Sequence, residues 1–288
     1  WDTTLKVWTL NENNQWICSQ TLSDHADKIS CVVKLSPICF VSGSWDTTLK
    51  VWTLNENNQW ICSQTLDGHT GEIFCIAQLS PTCFVSGSDD KTVRVWSFNE
   101  ENNQWVCSQR LVGHSTFISC IAPFSPTSFV SGSHDRTLKV WSLNEENQWI
   151  CSQTLIGHTN MIQCIAQLSP TCFVSGSWDT TLRIWTLNEE NQWSCSQTLS
   201  DHADEIQCIA QLSPTCFVSS SWDGTKIWSL QLPNLELSFE ELYVHLVRLK
   251  HPEILVIEDF LNQATKEILK EVAEEVLEEK EREERERD

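Results

Sequence analysis

Histidine, serine, aspartate and tryptophan recur together at fixed spacing five times along this sequence. A Ser, His and Asp set suggests the triad of hydrolases, in which histidine takes a proton from a serine nucleophile. Five copies on one scaffold cannot all be active sites, and no Gly-x-Ser-x-Gly nucleophile elbow accompanies them. We therefore predict no catalytic residue and interpret the sets as structural. They are His25, Ser42, Asp46, Trp52; His69, Ser86, Asp90, Trp96; His114, Ser131, Asp135, Trp141; His158, Ser175, Asp179, Trp185; and His202, Ser219, Asp223, Trp228.

Fourteen cysteines raise the alternatives of a disulfide framework and a metal site. They recur at three repeat positions inside apolar runs, and no C-x-x-C pair supplies zinc-ligand spacing. Free cysteine in such runs behaves as a small hydrophobe, so we expect core packing, no metal and no cofactor. So many free thiols indicate a reducing compartment, and we expect a cytoplasmic protein.

A fixed period organises the chain. The segment Trp45–Trp52 returns at offsets of 44 or 45 residues, and such a period decides the fold. Each period holds four short β-branched and aromatic runs bounded by turn residues, as in Ile73–Leu79, Cys83–Ser86, Thr92–Trp96 and Trp105–Gln109. Four-stranded sheets repeated around an axis form a β-propeller, in which neighbouring blades bury each other's faces.

Two kinds of mark resemble those of the WD-repeat β-propeller family: the dipeptides Gly68-His69, Gly113-His114 and Gly157-His158, and the Val-Trp that ends the third strand, although Thr or Ser follows the Trp. Asp24-His25 and Asp201-His202 keep only the histidine of the first mark. The resemblance covers residues 1 to about 232. It implies an all-β WD-repeat β-propeller of four-stranded antiparallel blades with a C-terminal α-helical tail. About five to six blades are encoded, and because family rings most often have about seven, we expect more before Trp1.

The resemblance also implies a role for the repeated polar residues. In the family the indole N–H donates to serine, serine donates to histidine, and histidine donates to aspartate. Such a satisfied network fixes how three strands and a loop meet. The last set is one residue short between Asp223 and Trp228. Either a local irregularity absorbs the deletion, or Trp228 misses Ser219.

The near-identical units differ mainly at the third and fifth residues after the histidine and at the residue before the aspartate. In WD-repeat propellers these loops open on one face, around the channel mouth, where partners usually dock. We therefore predict a non-enzymatic protein–protein interaction scaffold. Neutral drift is the alternative, although the Asn-rich loops of the opposite face hardly change. The predicted partner-binding residues are Lys28, Ser30, Trp45, Glu72, Phe74, Asp89, Phe117, Ser119, His134, Met161, Gln163, Trp178, Glu205, Gln207 and Trp222.

The content of this predicted ring suggests the class of ligand. Aromatic residues serve as anchors at protein interfaces, and tryptophan faces with carboxylates favour Arg or Lys. We expect a partner protein segment with a basic or apolar anchor. The formal net charge of -20 disfavours nucleic acid and anionic membrane as partners.

Two other functions stay open. The chain is also compatible with the substrate-recognition subunit of a ubiquitin ligase, although no adaptor-binding motif is evident. Near-identical WD repeats further resemble the ligand-sensing region of larger signalling NTPases, a hypothesis that predicts a P-loop upstream.

A composition change near Pro233 marks a second module. We predict a propeller over residues 1–232 and a helical, acidic C-terminal extension over residues 233–288. Phe239, Leu242 and Leu246 follow helical spacing, and Glu278 and Arg282 form an i, i+4 pair further along. A solvated helix and a coiled coil that binds a partner helix both stay open.

Overall fold

The computed structural model describes residues 3–213 and 216–229. The described residues belong to one compact unit, Trp1–Ser229. Every regular element among the described residues is a β-strand. The predicted helical extension at residues 233–288, with its coiled-coil and partner-helix alternatives, lies outside the described residues.

The strands form a two-stranded sheet, four sheets of four strands and a sheet of three, all antiparallel. The pair is β1 (Leu5–Leu10) and β2 (Trp16–Leu22). The first sheet is β3 (Ile29–Ser36), β4 (Cys39–Ser44), β5 (Leu49–Leu54) and β6 (Trp60–Leu66). The second is β7 (Ile73–Ser80), β8 (Cys83–Ser88), β9 (Thr92–Asn99) and β10 (Gln104–Val112). The third is β11 (Ile118–Ser125), β12 (Ser128–Ser133), β13 (Thr137–Leu143) and β14 (Trp149–Ile156). The fourth is β15 (Ile162–Ser169), β16 (Cys172–Ser177), β17 (Leu182–Leu187) and β18 (Trp193–Leu199). The fifth is β19 (Ile206–Ser213), β20 (Cys216–Ser221) and β21 (Gly224–Ser229).

The hydrophobic core lies between successive sheets. Val130 and Leu138 of the third sheet pack with Phe173 and Trp185 of the fourth, and clusters of the same kind join the first sheet to the second and the second to the third. The first strands β3, β7, β11, β15 and β19 also lie against one another in chain order. Each sheet is therefore buried by its neighbours, as propeller blades are, and the predicted all-β propeller architecture is confirmed.

A glutamine on the last strand of the two-stranded sheet and of each of the first three four-stranded sheets joins that strand to the next sheet. Gln109 Nε2 donates to the Trp149 carbonyl oxygen at 2.8 Å, and Trp149 N donates back to Gln109 Oε1 at 2.9 Å. The side-chain amide thus satisfies backbone groups that an edge strand would otherwise leave unpaired. Three further pairs repeat this clasp: Gln20 with Trp60, Gln64 with Trp105, and Gln153 with Trp193.

Replacing the clasp glutamine should destabilise the fold. We expect Gln109→Ala to lower the free energy of unfolding by about 1–3 kcal/mol, because two hydrogen bonds disappear and two backbone groups of Trp149 lose their partner. Chemical denaturation followed by tryptophan fluorescence measures the loss. Gln104→Ala, at an exposed position of the same strand β10, is the matched control and should change stability little. Equal effects of the two substitutions would contradict a stabilising role for the clasp.

All fourteen cysteines are free thiols, but they do not all pack in the core. The prediction of core packing is wrong for most of the fourth-strand set, since Cys18, Cys107, Cys151 and Cys195 are exposed. The fourth strand is the outer edge of its sheet, and alternate side chains there face away from the core. Four of the five first-strand thiols lie deeper, and burial raises the pKa of Cys31 and of Cys120 to about 12. The fifth, Cys208, is exposed, so the prediction of core packing is wrong there as well.

Candidate partner-binding face

The repeated polar residues meet as a hydrogen-bond network in each unit, linked in the order Trp, Ser, His and Asp. In the third sheet Trp141 Nε1 donates to Ser131 Oγ at 2.8 Å, Ser131 Oγ lies 2.8 Å from His114 Nε2, and His114 Nδ1 lies 2.9 Å from Asp135 Oδ2. The four other sets repeat these contacts: His25, Ser42, Asp46, Trp52; His69, Ser86, Asp90, Trp96; His158, Ser175, Asp179, Trp185; and His202, Ser219, Asp223, Trp228. The network fastens the second and third strands to the loop before the first.

The donors and acceptors of this network require a neutral histidine. A carboxylate only accepts, so Nδ1 carries the proton, and Nε2 accepts from the serine hydroxyl. Burial lowers the pKa of His25 and of His69, which favours this neutral form. Burial raises the pKa of Asp135, but hydrogen bonds from His114 and Thr137 outweigh burial and hold that pKa well below its usual range.

The network has the Ser, His and Asp connectivity of a hydrolase triad, but a substrate cannot reach its serine. Ser131 has 0% exposure, and its oxygen already accepts the indole N–H of Trp141. A nucleophile must reach a substrate carbonyl, and a fully covered hydroxyl cannot do so. The five sets therefore have a structural role in the fold.

The one-residue deletion in the last set is absorbed in the turn. Phe217 pairs with Trp228 in the same register as Phe173 with Trp185, and no bulge interrupts β20 and β21. Gly224 has a φ of 126°, at the turn where Thr180 of the fourth sheet has a φ of 68°. Glycine adopts such angles without a Cβ penalty, so Trp228 Nε1 still reaches Ser219 Oγ at 2.7 Å. Of the two alternatives, local absorption of the deletion holds.

In four of the five units, a backbone hydrogen bond brings two of the variable positions together. The amide of the residue before the aspartate donates to the carbonyl of the third residue after the histidine, at 2.8–3.2 Å. Both therefore lie at the same edge of each sheet. The pairs are Trp45 with Lys28, Asp89 with Glu72, His134 with Phe117, and Trp178 with Met161.

Five of these side chains form a continuous strip of rings across four sheets. The centroid distances are 6.0 Å from Trp45 to Phe74, 5.1 Å from Phe74 to Phe117, 3.5 Å from Phe117 to His134, and 5.9 Å from His134 to Trp178. All five rings are half-buried. We call this strip the aromatic arc. Aromatic pairs at such spacings attract each other beyond simple area burial, so the arc is a pre-ordered surface.

Polar groups surround the arc unevenly. Lys28 Nζ lies 4.1 Å from the Trp45 ring centroid, a cation–π contact that occupies this end. Asp89 is exposed beside the half-buried Glu72. Burial lowers the pKa of His134, and a hydrogen bond to the side chain of Gln163 opposes that shift. The His134 Nδ1 and Trp178 Nε1 atoms are buried without a hydrogen-bond partner among the described residues.

The remaining predicted residues lie outside the arc. The Ser30 and Ser119 hydroxyls bridge neighbouring sheets: Ser119 Oγ donates to the Ile162 carbonyl oxygen at 2.5 Å, and Ser30 Oγ likewise donates to that of Ile73. Trp222 is 75% exposed at the corner of the fifth sheet. Glu205 and Gln207, the other two predicted residues of the same unit, are half-buried.

The sequence analysis did not predict a groove that lies on the face opposite the aromatic arc. It has a volume of about 540 Å³ and lies between the third and fourth sheets, with Phe124, Ser128 and Trp193 among its walls. Phe124 stacks on Trp193 with a centroid distance of 4.8 Å. The available signal was that Phe124 and Ser128 depart from the Leu and Cys of the other units.

Within the described ranges, no group of three or more His, Cys, Asp or Glu side chains is placed to hold a metal ion. None of the described residues forms a helix that is long and apolar enough to cross a membrane.

Comparison with known proteins agrees with this geometry. The family model of the WD domain, G-beta repeat, matches residues 16–53, 60–97, 105–142, 149–186 and 193–229. A search of the curated proteins found no match. Many solved structures match, among them the structure of U3-55K, at 26% identity and a TM-score of 0.60 over 72% of this chain. The chain spans 63% of the length of that protein's chain. Because the matched repeats cover most of the sequence and each carries the buried Trp, Ser, His and Asp network, the chain belongs to the WD-repeat β-propeller family.

Proposed function

We propose that this chain is a non-enzymatic scaffold that binds an extended partner protein segment along the aromatic arc. WD repeats generally mediate protein–protein interaction. The observation that carries the proposal is the continuity of the arc: four sheets contribute half-exposed rings that contact one another in sequence. These rings stand at the positions where otherwise near-identical units differ. Variation concentrated on one contiguous surface is expected of a surface selected for a partner.

The chemistry of the arc favours a basic or apolar anchor on that segment. Aromatic faces supply large contact areas at low entropic cost and attract cations through their quadrupoles. Glu72 and Asp89 add negative charge at the second sheet. A net charge of -20 for the whole chain disfavours nucleic acid and anionic membranes.

A reducing compartment such as the cytoplasm suits this scaffold. All fourteen cysteines are free thiols, and several of them are exposed. Exposed free thiols persist where the surroundings keep them reduced.

Removing two aromatic anchors of the arc, Phe117 and Trp178, should abolish binding without unfolding the protein. The full chain is immobilised and used to select binders from a random peptide library displayed on phage. We expect Phe117→Ala and Trp178→Ala each to lower the affinity for the selected peptides by about 30-fold or more, which is the range of interface hot spots. The double variant should therefore show no measurable binding. Thermal unfolding should change little, because both rings are half-exposed.

Two comparison variants sharpen this test. Ile150→Ala removes a 44% exposed apolar side chain from strand β14, outside the arc, and should leave binding intact. Trp222→Ala tests whether binding needs the whole predicted ring or the arc alone, and we expect it to be tolerated. Undiminished binding by the Phe117 and Trp178 double variant would refute the proposed site.

A further inference from the structure

We propose that the corner of the fifth sheet is a separate subsite for a basic side chain of a partner segment, with Trp222 as its aromatic face and Asp204 and Glu205 as its carboxylates. These residues lie outside the aromatic arc, so the inference goes beyond the proposed function and is tested independently of it. It follows from comparing the fifth unit with the first.

The first and fifth units have nearly the same sequence at this corner. Residues 23–27 and 200–204 both read Ser-Asp-His-Ala-Asp, and in both units a tryptophan precedes the network aspartate. The residue that follows this loop is a lysine in the first unit and a glutamate in the fifth. The equivalent positions are therefore Lys28 and Glu205, and Trp45 and Trp222.

The backbone of the two corners also matches. The first and second strands of each sheet pair in the same register. An aspartate closes each loop in the same way: the Lys28 amide donates to Asp27 Oδ1 at 2.7 Å, and the Glu205 amide donates to Asp204 Oδ1 at 2.8 Å. The corner of the fifth unit is therefore a charge-reversed form of the corner of the first.

The first unit carries its own cation at this corner. Lys28 Nζ lies 4.1 Å from the Trp45 ring centroid, and Phe74 of the next sheet packs edge-on against the same ring at 6.0 Å. Trp45 is half-buried as a result. The contact shows that a corner of this geometry receives an ammonium group on the face of its tryptophan.

The fifth unit has the ring and a carboxylate where the first has the ring and an ammonium group. Trp222 is 75% exposed, so its indole surface is open to solvent. Glu205 in the place of Lys28 makes this corner more negative by two formal charges. A basic side chain from a partner would make the contact that Lys28 makes in the first unit, and the carboxylates would strengthen it.

The lysine of the fifth sheet is engaged elsewhere. Lys226 is the one Lys or Arg in residues 200–229. Its Nζ lies 3.6 Å from Asp223 Oδ2 and donates to the Asp201 carbonyl oxygen. Lys226 therefore offsets the charge of the network aspartate and leaves the Asp204 and Glu205 carboxylates for a partner cation.

The test titrates the full chain with a peptide that carries a single lysine, acetyl-Gly-Lys-Gly-amide. The norleucine analogue, which has a similar side-chain shape and no charge, is the control ligand. Binding is read from the indole N–H signals in two-dimensional proton–nitrogen NMR spectra, and Trp45→Phe and Trp222→Phe assign the two signals that matter. We expect the Trp222 signal to move and saturate at millimolar lysine peptide and to move little with the norleucine peptide. The Trp45 signal should not move, because Lys28 already occupies its ring.

Charge-swap variants of the two corners identify the cause. Glu205→Lys copies the first unit and should weaken the lysine peptide at Trp222 by about tenfold or more, because an internal ammonium group then competes for the ring. Glu205→Gln removes only the charge and should weaken it by about threefold. Lys28→Glu copies the fifth unit and should make the Trp45 signal respond. Glu189→Lys, at an exposed position of an Asn-rich loop, makes the same charge change as Glu205→Lys and should leave the Trp222 response intact.

Unchanged positions of the other indole signals show that each variant keeps its fold. A Trp222 signal that ignores the lysine peptide, or that responds equally to the norleucine peptide, overturns the inference. So does a Glu205→Lys variant that binds as well as Glu189→Lys, or a Trp45 signal that stays unresponsive in Lys28→Glu. The result for the Phe117 and Trp178 alanine variant bears on the proposed function alone.

Discussion

Asp135→Ala should lower the free energy of unfolding by about 3 kcal/mol or more, because it removes a carboxylate that accepts several hydrogen bonds, each worth about 1.5–3 kcal/mol when the acceptor is charged. This carboxylate is 8% exposed and accepts four hydrogen bonds. His114 Nδ1 and the Ser115 amide donate to Oδ2, both at 2.9 Å. The Thr137 amide and hydroxyl donate to Oδ1 at 2.9 and 2.6 Å. Alanine leaves all four donors without their acceptor, and chemical denaturation measures the loss.

Conservative and surface substitutions isolate the cause of this effect. Asp135→Asn should cost less than alanine, because the amide oxygen still accepts from two of the four donors. Asp89→Ala is the matched control, since Asp89 is exposed and precedes the network aspartate of the second sheet. We expect it to change stability by no more than about 0.5 kcal/mol. If Asp135→Ala costs as little as Asp89→Ala, the repeated network does not stabilise the fold.

The same carboxylate should make the free energy of unfolding fall at acidic pH. Hydrogen bonds hold the folded pKa of Asp135 well below the ordinary value of 3.8, so the unfolded chain binds its proton first. The contribution is present above pH 3.8 and is lost as the pH falls through the folded pKa. His25 and His69, whose pKa values burial lowers from 6.5, add a loss that begins as the pH falls below 6.5. The stability difference between Asp135→Ala and the unaltered chain should therefore narrow below pH 3.8.

Gly132→Ala should cost about 1–3 kcal/mol through overpacking between the third and fourth sheets. A Cβ atom at this position would lie 2.7 Å from Cys120 Sγ and 2.8 Å from Ile162 Cγ2. Both neighbours belong to first strands that are packed on both sides, so neither can move freely. Thermal unfolding is the measurement, and we expect a lower melting temperature without a change in the strand content seen by circular dichroism.

The fifth sheet supplies the control for this substitution. Its residue at the corresponding position is Ser220, which is half-buried. Because a side chain is already accommodated there, Ser220→Ala should be close to neutral. A neutral Gly132→Ala would show that the sheets can separate without cost, contrary to the close packing described above.

The repeated residues made the fold predictable from the sequence. A tryptophan that recurs every 43 to 45 residues must meet the same neighbours each time, so strand order and the His, Ser, Asp and Trp network follow from the period. The sequence could not decide how Trp228 tolerates its deletion. That outcome depends on Gly224, whose φ of 126° reshapes the turn and leaves the register of β20 and β21 unchanged.

The sequence predicted which residues belong to the candidate face, but it predicted only in part which of their side chains contact one another. Comparing units identified Trp45, Phe74, Phe117 and Trp178 as variable residues of one face. Their linkage into an arc through His134, and the position of Trp222 outside that arc, depend on the angle between neighbouring sheets. The prediction that the cysteines pack in the core failed at several positions, because the repeat period does not say which strand forms the outer edge of each sheet. Cys107 and Cys151 sit on that edge and are exposed.

Stability and binding measured on the same two preparations test the central claim, which is that repeated residues build the scaffold and the residues that differ between units recognise the partner. For the Phe117→Ala and Trp178→Ala double variant, we predict near-normal thermal unfolding and loss of the arc-selected peptides. For Asp135→Ala, we predict a markedly lower melting temperature and, below that temperature, retained peptide binding. The reverse pattern, or a loss of both properties in both variants, would contradict the division between scaffold and recognition surface.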